Sequence, residues 1–466
     1  MTKLQKTLFE PIVPQEKLHP AFEIIRTSPG HEPTRWMLDT VYQHFKDPEG
    51  NFLEQFQTTG FDARYFELYL FAYFSYSDVI VEREMPNPDF IVSRGDVRVA
   101  VEATTVNPST SGILAKLGKK ISDLTESEWR DYHRHELPIR FGSPLFSKLQ
   151  KRYWELDHCK DLPFVIAIEA FHDDESLTMS DFSLIQHLFG IEQAASWEQG
   201  GRLKIDTTAV KEHTIGTKTI PSPFFGEPDT ENISAVLFTN SGTSAKFSRM
   251  GYQHGIGCET TYMVRRGFSF NPQPDAMDPI FFSYNLDAPP FVEPWGQGLV
   301  ILHNPNARRP IPRDFFLDAT QGYIENGVFT TDYSDWHPIS SKTMIFHLGE
   351  MKQKIQSIMP SHGSRFAVAA ITKERFQAAC GFAVSESNPL ISEHGWFSDE
   401  TLSFLGVVIQ DKIDNDWGYV VLGRDMQFRF TPIEMQSSIT TRDKARVELQ
   451  LKISQFLSHP QRIFPQ

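Results

Sequence analysis

Three acidic residues in the first quarter of the 466-residue chain have the side chains and spacing of a hard-cation site. Glu67 lies in the apolar run FDARYFELYLFAYF, Asp89 follows Pro88 at the start of an extended run, and Glu102 lies within VRVAVEATT. A hairpin between Asp89 and Glu102 brings both carboxylates to the same end of a sheet. Converging carboxylates with no thiolate nearby suit an oxygen-liking cation such as Mg²⁺ or Mn²⁺. Left alone they repel, and one takes up a proton. A bound cation relieves that repulsion and polarises a phosphoryl oxygen.

The elements that must position these residues are legible from periodicity. Phe66, Tyr69, Leu70, Tyr73 and Phe74 recur at helical spacing, which predicts a helix with a broad apolar face carrying Glu67. Three extended segments follow, at 78–84, 89–93 and 97–105, with Arg94-Gly95-Asp96 as a tight hairpin connection. A polar helical stretch over about 111–135 leads to a second helix over 144–156, PLFSKLQKRYWEL, with Leu145, Leu149 and Tyr153 on one side and Lys148, Lys151 and Arg152 towards the other. FVIAIEAF at 164–171 reads as a buried strand. The order helix, three strands, helix, strand predicts an α/β layer with a mixed sheet.

Glu67, then Pro88-Asp89, then Glu102-Ala103-Thr104, followed by a basic helix, resembles the PD-(D/E)XK nuclease superfamily. The resemblance implies an α-β-β-β-α-β core that binds Mg²⁺ through Asp89 and Glu102, helped by Glu67. It implies hydrolysis of phosphodiester bonds, with DNA favoured over RNA. Thr104 stands where that superfamily carries a Lys that orients the attacking water. The superfamily tolerates a Lys that has migrated to the following helix, which makes Lys148 the first substitute, Lys151 the second, and Lys116 or Lys119 outsiders. Arg64, Lys116, Lys119, Lys151 and Arg152 are the expected phosphate contacts. If the site is weakened instead, the fold binds nucleic acid or a partner without cutting. Segments such as EQFQTTGFDARYFELYLFA, ISAVLFTNSGTSAKF and WGQGLVILHNPNA also resemble an uncharacterised bacterial family labelled only by a glycosaminoglycan attachment site, over about the first 340 residues. That label reflects Ser241-Gly242 and carries no chemistry. The likeness points to a bacterial defence role against phage or plasmids.

The remaining chain predicts a β-rich middle domain over 176–340 and a C-terminal α+β domain over 341–466, after a nuclease-like domain over 1–175. These regions would supply recognition, a homo-oligomer contact, a docking face for an operon partner, or a sensor that gates the nuclease. Net charge is −14, from 45 basic and 59 acidic residues, which excludes a protein that coats DNA or anionic membrane through its overall field. Between 113 and 152, however, nine Lys or Arg stand against five acids. A polyanion held there would bind less tightly as salt rises. Cys159, Cys258 and Cys380 are dispersed, which excludes a disulfide framework or a thiolate zinc cluster, and no run is long and apolar enough to span a membrane. A cytoplasmic protein with no membrane partner is the expectation. GILAKLGKK lacks the spacing of a phosphate loop, and His133 and His135 read as a charged surface loop.

Overall fold

The structure is a computed structural model that describes residues 7–108, 114, 118–171, 176–198, 202–287, 289, 292–334, 336–349, 352, 368–381, 390–399, 404–424 and 430–458. Lys116 lies outside the described residues. The chain forms two compact units, Met1–Gly257 with Glu293–Ile339, and Cys258–Val292 with Ser340–Gln466.

The first unit is mixed α/β. Its helices are α1 (Pro20–Thr27), α2 (Glu32–Tyr42), α3 (Phe52–Gln57), α4 (Phe61–Tyr76), α5 (Glu126–Asp131), α6 (Leu137–Leu149), α7 (Phe182–Phe189) and α8 (Ser244–Gln253). One eight-stranded sheet runs through it in chain order: β1 (Ile80–Glu82), β2 (Phe90–Arg94), β3 (Val97–Val106), β4 (Phe164–Ala170), β5 (Ala235–Thr239), β6 (Leu299–His303), β7 (Thr320–Glu325) and β8 (Val328–Asp332). The β1, β2 and β3 strands are antiparallel neighbours, whereas β3, β4 and β5 pair in parallel. The sheet therefore continues past residue 175.

Strand alternation divides the core in two. Val99, Val101, Val165, Ala167, Leu237 and Ile301 face the cluster built around α4, while Ala100, Ile166, Ile168, Val236 and Leu302 face the cluster that includes Phe141, Leu145 and Leu149 of α6. Helix α4 is buried on every side from Tyr65 to Phe74, more than the single apolar face its spacing predicts. The reason is a further layer: α2 and α3 pack on it from the side away from the sheet. Between β2 and β3, Arg94 pairs with Val97 and Gly95 takes φ +56°, the left-handed turn conformation a side chain disfavours.

The basic helix differs from its expected span. It runs over Leu137–Leu149, because α5 continues through a π-helical turn at Tyr132–Glu136 directly into it. Pro144 sits inside, where its missing N–H forgoes one helical bond. The helix stops early because Arg152 adopts a left-handed φ of 50° and a 3-10 turn follows at Tyr153–Glu155.

The second unit is β-rich. Five antiparallel strands in meander order, Val368–Ile371, Ile391–Asp399, Phe404–Asp411, Trp417–Arg424 and Phe430–Ile439, form one sheet. Ala445, Leu449 and Ile453 of helix Arg442–Ser458 pack on Val408 and Val421, while Phe376 of helix Lys373–Cys380 packs with Leu405, Val407 and Val420. Ile280–Asn285, Thr261–Ser269 and Pro338–His347 form a three-stranded sheet. No helix among the described residues is long and apolar enough to cross a membrane.

Candidate active site

Antiparallel pairing of Phe90 with Val101 sets Asp89 opposite Glu102. The two residues lock each other: the Asp89 amide donates to Glu102 Oε2 at 3.1 Å, and the Ala103 amide donates to Asp89 Oδ2 at 2.8 Å. Oδ1 of Asp89 takes no part in this lock. From the last turn of α6, Lys148 Nζ donates to Glu102 Oε1 at 2.5 Å. The Glu102 side chain is 4% exposed and that of Lys148 23%, so the pair is desolvated on the carboxylate side and open on the ammonium side.

Glu67 reaches the same cavity from α4 but is occupied otherwise. Arg64 donates to its Oε1 at 2.7 Å and Arg83 to its Oε2 at 3.4 Å. Glu67 is itself buried. Arg83 was not singled out by sequence reasoning, yet it ties the site together. Its guanidinium lies 4.0 Å from the Phe45 ring centroid and 4.6 Å from that of Phe90, and it donates to the Lys46 and Asp89 carbonyls. Glu67 is thereby linked to the Asp89 backbone through a buried cation. The available signal was an Arg directly after the alternating strand DVIVE, a poor place for an uncompensated charge.

These residues line a cavity of about 300 Å³, together with Asp47, Glu49, Gln55, Asn87, Thr104, Thr105 and Asn107. Acids outnumber bases along its wall. Burial, then the Asp89 carboxylate, pushes Glu102 up to about 7, with Lys148 pulling the other way. Glu67 is pushed up to about 8 by burial and then by Asp89, against Arg64 and Arg83. Half-buried Tyr153, also missed, is raised by burial and by the nearby charges of Glu102 and Asp89. Among the described residues no group of three or more His, Cys, Asp or Glu is gathered closely enough to hold a metal by itself. Asp89 and Glu102 nevertheless fit a divalent cation that keeps most of its own waters, the habit of Mg²⁺, because burial and then the Asp89 charge hold up a Glu102 proton that such a cation would displace.

The other expected contacts lie elsewhere. Lys119 pairs with Glu128 at 2.8 Å, and Arg152 pairs with Glu155 at 2.9 Å; neither, nor Lys151, lines the cavity. The basic stretch is largely neutralised, since Arg130, Arg134 and Arg140 also hold acidic partners, Glu126, Glu192 and Glu136. Comparison of the chain with protein-family models, with curated proteins and with solved structures finds no match.

Proposed function

We propose that the chain is a metal-dependent nuclease of the PD-(D/E)XK kind, hydrolysing phosphodiester bonds in DNA in preference to RNA. The observation that carries this reading is the convergence of Asp89, Glu102 and Lys148 at one end of the β2–β3 hairpin. The order α4, β1, β2, β3, α6, β4 supports it, with β3 and β4 parallel.

Asp89 and Glu102 would hold Mg²⁺ or Mn²⁺, which supplies charge neutralisation at the scissile phosphate. Lys148 supplies the ammonium that Thr104 does not, and its part-exposed side chain would turn from Glu102 towards charge developing on a phosphoryl oxygen. Arg83 and Arg64 fix Glu67, so Glu67 acts as a positioning residue that holds the Asp89 backbone through Arg83. Arg64, also on the cavity wall, would meet a phosphate through Nη2, whose contacts to Asn51 and Glu49 are long at 3.4 and 3.5 Å. A role in bacterial defence, with an operon partner or a second copy as regulator, extends the same reading.

The second reading is a nuclease-like module that binds without cutting. It is favoured by the closed Lys148–Glu102 pair and by the two arginines on Glu67. Plasmid, single-stranded DNA and RNA incubated with Mg²⁺ or Mn²⁺, against chelator, separate the two. Metal-dependent cleavage lost in Asp89→Ala and Glu102→Ala is the expected result. Cleavage that survives both substitutions overturns the site, and retention of substrate without cleavage favours the binding module.

A further inference from the structure

A second cavity, of about 470 Å³, opens on the other side of the first turns of α4 and is lined by His19, Ile25, Phe61, Asp62, Tyr65 and Phe171, with Gly242, Thr243 and Ser244 at the start of α8. Its apolar walls mix aliphatic side chains with the rings of Phe61, Tyr65 and Phe171, and the His19 ring stacks on Phe61 with centroids 4.9 Å apart and planes 10° from parallel.

Apolar walls alone would take any hydrocarbon, but the polar atoms here are more demanding. Tyr65 is 2% exposed and its hydroxyl has no hydrogen-bond partner among the described residues, nor has the buried Nδ1 of His19. Behind the Gly242 wall, Glu169 is fully buried at the end of β4. Its Oε1 accepts from the Gly242 amide at 2.8 Å, and its Oε2 is unpartnered among the described residues. A β-carbon on Gly242 would stand 2.2 Å from that Oε2, so only glycine allows the carboxyl to come so near the cavity. Buried polar groups left unpaired are costly, and two of them on lining residues, Tyr65 and His19, indicate that a heteroatom-bearing guest completes them. The volume and mixed lining are those of a small-molecule site.

We propose that this cavity binds a nucleobase-class ligand, a flat heterocycle carrying N–H donors, either free or as part of a nucleotide. The rings of Phe61, Phe171 and His19 take its faces, Asp62 accepts from its exocyclic amine, and the Tyr65 hydroxyl meets a ring nitrogen. The opening turn of α8 offers amide N–H groups to an attached phosphate. The site is separate from the Asp89–Glu102 cavity, and occupancy does not depend on cleavage.

The test is titration calorimetry and ligand-observed NMR on the full chain in EDTA, with the four nucleosides, their monophosphates and short single-stranded oligonucleotides as separate arms. At least one amine-bearing base is expected to bind with Kd below about 1 mM. Asp62→Asn should weaken it by about tenfold, and Ala21→Trp, which fills the cavity from α1, should abolish it while circular dichroism is unchanged. Tighter binding of monophosphates identifies a free nucleotide, and tighter binding of oligonucleotides identifies a base of the strand. No binding in any arm overturns the proposal, as does binding that Ala21→Trp leaves intact. In a chelator-free arm, a Mn²⁺-induced rise in Tm that Asp62→Asn removes and Asp89→Asn does not would overturn it in favour of a cation site.

Discussion

Lys148 Nζ lies 2.5 Å from Oε1 of Glu102, although 46 residues separate them in sequence. The ammonium that sequence reasoning seeks two residues after Glu102, where Thr104 stands, arrives from the facing helix. Lys148→Ala is expected to lower the cleavage rate by about 100-fold or more, the usual cost of losing one donor that stabilises transition-state charge. Initial rates on plasmid, with circular dichroism as the control for folding, check this. A wild-type rate in Lys148→Ala would remove Lys148 from the chemistry.

Arg83 is held between two rings and three oxygen partners, so Arg83→Met leaves Glu67 short of a cation in a buried place. Arg64 still holds Glu67 at 2.7 Å, so the expected loss is about 1–3 kcal/mol, the cost of leaving buried acceptors without their donor. Adding Glu67→Gln should recover part of it. Urea unfolding of the two single variants and the double variant gives the coupling directly, and strict additivity would show that the two side chains do not interact.

The raised Glu102 carboxyl makes stability depend on pH. The folded chain holds this proton up to about 7, whereas an unfolded Glu releases it near 4.5. The resulting stabilisation is therefore fully present below about 4.5 and is lost as pH rises through about 7. A cation bound at Asp89 and Glu102 would offset that loss. Mg²⁺ should raise Tm more at pH 8 than at pH 6, by about 2–4 °C for each kcal/mol gained, and Asp89→Asn should remove the effect. Equal shifts at both pH values would argue against cation binding at this pair.

His187 provides a pH dependence of opposite sign. It is fully buried on α7, its ring 5.6 Å from that of His213, and burial, then His213, lowers it to about 3. An unfolded His takes its proton near 6.5, so the stability contributed by keeping His187 neutral is present above 6.5 and is lost as pH falls towards 3. His187→Phe should flatten the acid limb by up to about 1.4 kcal/mol per pH unit, read from urea midpoints between pH 4 and 7. An unchanged slope would mean that His187 is not the titrating group.

Much of this was legible in the chain, for identifiable reasons. Period-two and period-3.6 patterns announced α4 and the first four strands, and the pairing of Asp89 with Glu102 followed from a hairpin whose turn is marked by Gly95. The span of α6 was not legible, because Pro144 reads as a start although the helix passes through it. The phosphate role assigned to the 113–152 cations failed to account for ion pairing: Lys119, Arg134, Arg140 and Arg152 each meet an acid, two of them from distant sequence, at Glu192 and Asp229. Arg83 was overlooked because its partners, Glu67 and the rings of Phe45 and Phe90, come together only in three dimensions.

Asp89, Glu102 and Lys148, the three residues proposed to act in hydrolysis, lie within the first 148 positions, yet the sheet beneath them draws its last four strands from 235–332. Strand β4, FVIAIEA, is buried at every position because β5 covers its outer side. A fragment cut near residue 175 would keep those three side chains and present that strand as a bare edge with Glu169 as its one ionisable group, open to pairing with its own copies. Its fate would be aggregation, so an inactive short fragment says nothing against the chemistry of the intact chain.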